Sequence, residues 1–319
     1  LGELNGLGIW ATDIGNAYLE AKTAEKVVVR AGPEFGKLKD HLLIIIRALY
    51  GLRTSGLRWH ERFADCLRDM GFFPCKADGD IWMREKDGVW EYIAVYVDDL
   101  CIVCKDPELL CSTLVAKYKF KLKGTGEIFY HLGCDYFRDK DGVLCMQAKR
   151  YVEKMIDAYE RMFGVKPKQS GCSSPLNAGD HPEMDDSEFL DEKGIAQYQS
   201  LIGQLQWSIS LGRMDITTAV MTLSGFHAKP RIGHLERAQR VVAYLSKMRH
   251  ATIRFRTEEP DFSGLQEPIH DWDYSVYGNP SEVIPKDAPK ALGKPVVFSH
   301  YVDANLYHDY VSGRSVTGI

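Results

Sequence analysis

Along the first 147 residues apolar positions alternate with polar ones or gather in short β-branched runs, and from about 148 to 250 they recur every three or four residues. The first pattern is that of strands, the second that of helices with one buried face. Gly8–Asp13 (GIWATD) reads as a strand ending in a carboxylate, with a turn and a helix start at Asn16–Leu19. Val27–Arg30 is a β-branched strand. Trp59, Phe63, Cys66, Leu67 and Met70 mark one face of a helix that Gly71 stops. Tyr92–Val97 and Leu100–Cys104 read as two strands of a hairpin, with Asp98-Asp99 as a two-residue turn that lacks the usual Gly. Asp106-Pro107 supplies an N-cap and a first-turn proline, and Leu110, Leu114 and Tyr118 the buried face of the next helix. Phe129–Phe137 and Gly142–Gln147 form another hairpin pattern. A helical face then runs from Tyr151 through Met155 and Tyr159 to Phe163 and stops at Gly164. Residues 165–194, rich in Pro, Ser, Gly and acids, read as a loop. Helical patterns follow near 195–211, 215–228 and 233–249, with Asp215 as an N-cap. Ala251–Arg256 is a strand, residues 258–294 lack periodicity, and Pro295–Tyr301 is a strand leading into Val302-Asp303-Ala304.

Composition narrows the class. The 319 residues suffice for one large or two ordinary domains, and 45% apolar with 26% charged residues describes an ordinary soluble protein. The longest aliphatic run, Leu42–Ile46, is too short to span a bilayer, so no membrane helix is expected. The N-terminus has no signal-peptide pattern and no initiator Met, which leaves a fragment or a missing leader open. Eight cysteines at irregular spacing read as reduced, intracellular thiols. Cys101 and Cys104 form the sole CxxC, but on a strand they face opposite sides, so packing rather than metal or redox chemistry is expected of them. The net charge of −4 counts against a nucleic-acid binder. The charge is uneven, however: Asp180–Glu192 is acidic, whereas Lys117–Lys123 and Arg47–Arg62 are basic and leave room for a local basic channel.

Asp98-Asp99 is the one feature that simple folding does not explain. Two carboxylates ~4 Å apart at an effective dielectric near 20 repel by about 4 kcal/mol. A divalent cation turns that repulsion into coordination, and magnesium takes one or two carboxylates together with substrate phosphates. A tight hairpin is a rigid mount for such ligands, and Asp13 is the candidate for a third. The hairpin alone equally admits a solvated acidic turn, with calcium or with no metal.

Other segments add to this. Tyr96-Val97-Asp98-Asp99 resembles the YxDD box of reverse transcriptases, and Asp13-Ile-Gly-Asn-Ala-Tyr18 resembles their first catalytic motif. Ala48-Leu-Tyr-Gly-Leu-Arg53, followed by Trp59, is similar to the LYGLK…W signature of copia-type retrotransposon polyproteins. Lys76-Ala77-Asp78, Leu132-Gly133, Tyr198-x-x-Leu201-Ile202-Gly203 and Tyr301-x-Asp303-Ala304 match in the family's order and spacing. Nearly the whole chain therefore resembles the reverse transcriptase region, and the start of the RNase H region, of a copia-type LTR retrotransposon polyprotein.

The resemblance implies an α+β fold. Residues 1–147 would be a right-hand polymerase palm with residual fingers, the rest of the fingers being missing. Residues 148–257 would be a helical thumb and connection containing the acidic loop 165–194. Residues 258–319 would be an irregular linker and the first strands of an incomplete RNase H-like domain, with Asp303 as its first carboxylate and no RNase H activity. The implied reaction is RNA-directed DNA synthesis, a two-metal transfer of dNTPs onto a primer 3′-hydroxyl. Asp13, Asp98 and Asp99 would be catalytic and hold two Mg²⁺ ions, with Mn²⁺ as a substitute. Tyr18, Tyr50, Gly51 and Arg53 would bind the nucleotide, with Tyr18 under the sugar excluding a 2′-hydroxyl. Tyr96, Val97 and Gly133 would meet primer and template. One of Lys119, Lys121 and Lys123 would protonate pyrophosphate, or these lysines would touch the phosphate backbone. The residues by themselves also read as a core aromatic (Tyr18), a turn before a helix (Tyr50-Gly51-Leu52) and a strand kink (Leu132-Gly133). The implied partners are an RNA or DNA template with primer and dNTPs, without a membrane and with no oligomeric state specified. The implied location is intracellular, in a cytoplasmic virus-like particle for an intact element.

The chain departs from the family in places. Only twelve residues precede Asp13, where the family's basic fingers would lie. Thr54-Ser55-Gly56-Leu57 stands where Gln-Ala-Pro-Arg is usual, and Gly212-Arg213-Met214-Asp215 where Arg-Pro-Asp is common. The alternative reading is a catalytically inactive remnant that keeps the palm and at most binds nucleic acid or a partner. A DNA-templated polymerase or unrelated nucleotidyl transferase would also use three acids, but LYGLR and YVDA count against it.

Overall fold

Alternation along the central strands buries Ile93, Leu100, Ile102 and Cys104 on one face, and that face organises the N-terminal half. A computed structural model describes residues 1–259 and, beyond them, 261, 263–264, 274–278, 283–296, 303–305, 309–313 and 316–318. In chain order the N-terminal elements are β1 (Gly8–Ile14), β2 (Lys22–Arg30), β3 (Leu42–Arg47), α1 (Ser55–Asp69), β4 (Phe73–Pro74), β5 (Ile81–Lys86), β6 (Val89–Tyr96), β7 (Asp99–Cys104), α2 (Pro107–Ala116) and β8 (Leu122–Glu127). Six of the strands form an antiparallel sheet in the order β4-β5-β6-β7-β1-β8. Helices α1 and α2 cover one face through Trp59, Phe63, Leu67, Leu110 and Leu114, which meet Ile14, Trp82, Ile93, Leu100, Ile102 and Phe120. Each fully buried side chain of this size contributes about 1.5–3 kcal/mol. Asp106 caps α2 by accepting from the Leu109 amide, with Pro107 in the first turn, as the sequence predicts. Strands β2 and β3 form a separate two-stranded ribbon, whose Leu42 is 70% exposed. The Glu25 carboxylate ties this ribbon to the start of α1 by accepting from the Thr54 amide at 3.0 Å and from its hydroxyl.

The second half comprises β9 (Tyr130–His131), β10 (Cys134–Arg138), β11 (Leu144–Gln147), α3 (Lys149–Phe163), α4 (Glu192–Ser210), α5 (Thr217–Ser224), α6 (Ile232–Lys247) and β12 (Ile253–Arg254). The strands form a four-stranded sheet, β12-β11-β10-β9, and the helices enclose a core of Val152, Met155, Tyr198, Leu201, Ile202, Leu205, Val220, Leu223, Val241 and Val242. Gly164 ends α3 at φ 72, the left-handed cap that glycine adopts without strain. Loop 165–194 is not a free acidic tail: Arg237 of α6 binds Asp180 at 2.9 Å and Asp185 at 2.5 Å. His234 of the same helix is buried, accepting from the Arg231 amide at Nδ1 (3.0 Å) and reaching the Pro182 carbonyl of the loop with Nε2 (2.9 Å). The described C-terminal elements are α7 (Tyr274–Tyr277) and the paired strands β13 (Asp303–Asn305) and β14 (Val316–Gly318).

Four expectations need correction. The β6–β7 turn is Val97-Asp98, one residue earlier than predicted, because Tyr96 pairs with Asp99. A shift of one would turn Leu100, Ile102 and Cys104 out of the core. Phe129–Phe137 is two strands rather than one, broken at Leu132-Gly133. Asp215 caps no helix: it lies in a 3-10 turn, and its carboxylate takes both Nε (2.9 Å) and Nη2 (2.7 Å) of Arg213. Pro295 and Val296 lie in no strand, and the remainder of that predicted strand, apart from Asp303–Asn305, lies outside the described residues. Cys101 and Cys104 do face opposite sides of β7, and burial pushes their thiols up to about 11 and about 12.

Residues 287–294 cross back over the first sheet. Lys76 pairs with Asp287, the Trp90 indole donates to the Lys290 carbonyl at 2.9 Å, and the Lys294 amide donates to Asn5 at 2.8 Å. Among the described residues no helix is long and apolar enough to cross a membrane.

Candidate active site

The two central strands, β1 and β7, place the acids. Their antiparallel register sets Asp13 opposite Asp99, and the Ile14 amide donates to the Asp98 carbonyl at 2.8 Å. Three carboxylates therefore gather at one end of the sheet, all half-buried. Among the described residues none of the three side chains makes an ion pair or hydrogen bond. Desolvation, and then the charges of Asp98 and Asp13, push the Asp99 carboxyl above the ordinary carboxylate range. On the far side of β1, Lys123 of β8 pairs in register with Asp13, and its stem lies over Gly15. Lys117 is committed to Asp69 at 2.7 Å.

Val97 opens the β6–β7 turn at φ 56, in the left-handed region. The preferred residue for that first turn position is glycine, and a β-branched residue held there costs about 1–3 kcal/mol. Val97 and Tyr96 are both exposed at the tip of the hairpin. The Trp59 indole, from the buried face of α1, donates to the Val97 carbonyl at 2.6 Å. Sequence reading saw Trp59 as core and as part of a motif; the bond to a residue 38 positions away has no local signal.

Tyr18 lies in a 3-10 turn (Ala17–Glu20) that follows Asn16 at φ 59. Its ring meets that of Tyr50 at 4.6 Å, tilted by 37°. Tyr50 is 62% exposed, and its hydroxyl is pushed up by desolvation and then by the charges of Asp98, Tyr18 and Asp13. The two tyrosines therefore border the acids. Gly51 (φ 92) turns the chain, and Arg53 is exposed without an ion pair among the described residues. Gly133 is not brought to the acids. With Leu132 (φ 46) it forms the two-residue β9–β10 turn, both residues left-handed, and a Cβ at Gly133 would lie 3.2 Å from Leu211. Another surface lacked a sequence signal: beyond Glu192 and Lys193 in its first turn, α4 exposes Ala196, Ser200, Gly203, Gln206, Trp207 and Ser210, none of them charged. Trp207 is 52% exposed.

Residues 4–170 match the family described as reverse transcriptase (RNA-dependent DNA polymerase). The chain belongs to this family. Among its relatives, the putative transposon Ty5-1 protein of Saccharomyces cerevisiae is 29% identical over 88% of this chain and 86% of the relative. The retrovirus-related Pol polyprotein from transposon RE1 of Arabidopsis thaliana is 27% identical over 73% of this chain and 16% of the polyprotein. The corresponding polyprotein from transposon TNT 1-94 of Nicotiana tabacum is 24% identical over 80% of this chain and 20% of its own length. The chain thus spans most of the Ty5-1 relative but a fifth or less of the two plant polyproteins. The resemblance to a copia-type reverse transcriptase region holds.

Reverse transcriptases use divalent metals, and the donors here suit one: they are carboxylate oxygens with no basic side-chain partner among the described residues. No group of three His, Cys, Asp or Glu side chains among the described residues is arranged to hold a metal ion by itself. Water oxygens, replaced by substrate phosphates when these are bound, would complete the coordination of a bound magnesium.

Proposed function

We propose that the chain is the polymerase domain of a copia-like retrotransposon and extends a primer 3′-hydroxyl with dNTPs on an RNA template. The observation that carries this reading is the convergence of Asp13, Asp98 and Asp99, unpaired among the described residues, at the end of β1 and β7. In this reading the six-stranded sheet with α1 and α2 is the palm, the β2–β3 ribbon is the residual fingers, and α3–α6 are thumb and connection. The domain limits are residues 1–147, 148–257 and 258–319, the last beginning an RNase H-like fold.

Asp13, Asp98 and Asp99 would hold two Mg²⁺ ions, or Mn²⁺, which lower the pKa of the primer hydroxyl and neutralise the triphosphate and leaving pyrophosphate. The chain's own residues position the reactants. Tyr18, paired with Tyr50, lies under the sugar of the incoming nucleotide, while Gly51 and Arg53 border its phosphates or the template base. Tyr96 and Val97 meet the primer end, and Gly133 supports the primer strand further along. Lys123, beside Asp13, is the lysine best placed to face the phosphates. Beyond its charged first turn, the exposed face of α4 suits close approach of a duplex, where exposed Trp207 offers a flat apolar surface. The element would act intracellularly, within a cytoplasmic virus-like particle.

Primer extension on RNA with Mg²⁺ tests the reading: wild type extends the primer and Asp98→Asn does not. Extension on DNA templates alone would overturn the RNA-directed assignment. Tyr18→Ala is expected to admit ribonucleotides, and unchanged dNTP/rNTP discrimination would remove that role from Tyr18.

A further inference from the structure

The turn that carries Asp98 is held by little besides hydrogen bonds. Val97 sits at φ 56, a conformation that valine resists and that glycine would adopt freely. Its side chain is 43% exposed, so the core does not grip it. Beside it lies a cavity of about 150 Å³, bordered by Tyr18, Trp59, Phe63, Trp82, Val95 and Val97. Packing therefore does not clamp the turn from this side either. Two donors from outside the hairpin capture its two carbonyls: the Ile14 amide binds that of Asp98, and the Trp59 indole that of Val97.

The donors differ in kind. Ile14 is fixed in the backbone of β1. Trp59 is a side chain, 2% exposed, fixed by stacking on Phe63 at 5.3 Å and by an edge contact with Phe120 at 5.7 Å. A buried indole N–H needs an acceptor, and the Val97 carbonyl is the one this N–H has.

We infer that Trp59 is a positioning residue: its indole N–H holds the Val97 peptide in its left-handed conformation, and so fixes the Asp98 carboxylate against Asp13 and Asp99. This rests on the polymerase reading for its consequence in catalysis, but the hydrogen bond and its effect on the acids stand apart from it. The helix that packs behind the sheet thereby sets the geometry of the acids on its rim. A carboxylate displaced by a fraction of an ångström binds a divalent cation and aligns the primer hydroxyl less well.

Trp59→Phe keeps an aromatic ring between Phe63 and Phe120 and removes the donor. In primer extension it should lower kcat about 10- to 100-fold with the dNTP KM within about twofold, since alignment rather than substrate binding is lost. Mn²⁺ binding in the absence of substrate, read from the free-ion EPR signal, should weaken about tenfold. The strain makes a second demand. In a Val97→Gly background, where the turn needs no support, Trp59→Phe should cost less than about threefold in both readouts. Equal losses in the two backgrounds would reduce Trp59 to a packing residue and overturn the inference. The indole ¹⁵N–¹H signal of Trp59, assigned by its loss in Trp59→Phe, should exchange slowly with solvent; rapid exchange overturns the inference whatever the activity. If the wild-type chain fails to extend a primer while the Mn²⁺ cycle and slow exchange hold, the polymerase reading fails and the positioning role stands.

Discussion

Two clusters of acids in this chain have opposite designs. At the end of β1 and β7, Asp13, Asp98 and Asp99 gather with no Lys, Arg or His partner among the described residues, and Asp99 is pushed toward its neutral form. In loop 165–194, Asp180 and Asp185 grip the guanidinium of Arg237, and the Asp185 carboxyl stays below its ordinary range: burial pushes it up, but Ser187 and Arg237 outweigh that. The loop is the more acidic stretch in the sequence, yet its two most buried aspartates are neutralised by Arg237. The sparser cluster retains unbalanced charge, and unbalanced charge is what can take up a cation or a reaction.

The contrast is sharpest under substitution. Asp98→Asn should lower primer extension roughly a thousandfold or more, since several kcal/mol of charge stabilisation are lost at about 1.4 kcal/mol per tenfold. Its thermal stability should be unchanged or higher, because a like-charge contact is relieved. Arg237→Ala should do the reverse in the helical half, destabilising it by about 3–5 kcal/mol by stranding two largely buried carboxylates. Thermal melts beside activity assays check both, and a destabilised Asp98→Asn would break the distinction.

Acid should separate the regions more gently. The two hydrogen bonds of His234 require the neutral ring, with Nδ1 accepting and Nε2–H donating. Burial holds this imidazole below its ordinary value despite the Pro182 carbonyl and Asp185. Its contribution is therefore complete above the unfolded value of about 6.5 and is lost as pH falls below it. Asp185 follows only at lower pH, below the ordinary carboxylate value of about 3.9. Melting temperature measured from pH 7 to 5 should fall, and His234→Gln should flatten the slope. The smallest effect concerns the first cluster: saturating Mn²⁺ should raise the stability of wild type by about 1–3 kcal/mol and leave Asp99→Asn nearly unmoved.

Much of this was legible along the chain because strands and helices write their periods locally. The face Trp59–Phe63–Leu67, the cap at Asp106 and the stop at Gly164 needed only near neighbours. Ordered motifs made Asp13, Asp98 and Asp99 candidates, and the register of β1 with β7 brings them together. The β6–β7 turn was misplaced by one residue because Val97-Asp98 and Asp98-Asp99 both lack glycine, and only cross-strand pairing separates them. Asp215 looked like a cap until Arg213 claimed it. The Arg237 clasp and the Trp59 bond join positions 38 to 57 residues apart, where no local pattern speaks.

The strip from Asp287 to Lys294 bears on the order in which the chain assembles. Its bonds to Lys76, Trp90 and Asn5 bridge 211, 200 and 289 residues, so closing them demands very large loops. During synthesis Lys76 and the Trp90 indole must wait for these partners until residues 287–294 have been made. Contacts of such long separation form last in folding and are the first exposed to association with other chains. The strip therefore acts as a late seal over Lys76 and Trp90, which stay open to other chains until it closes.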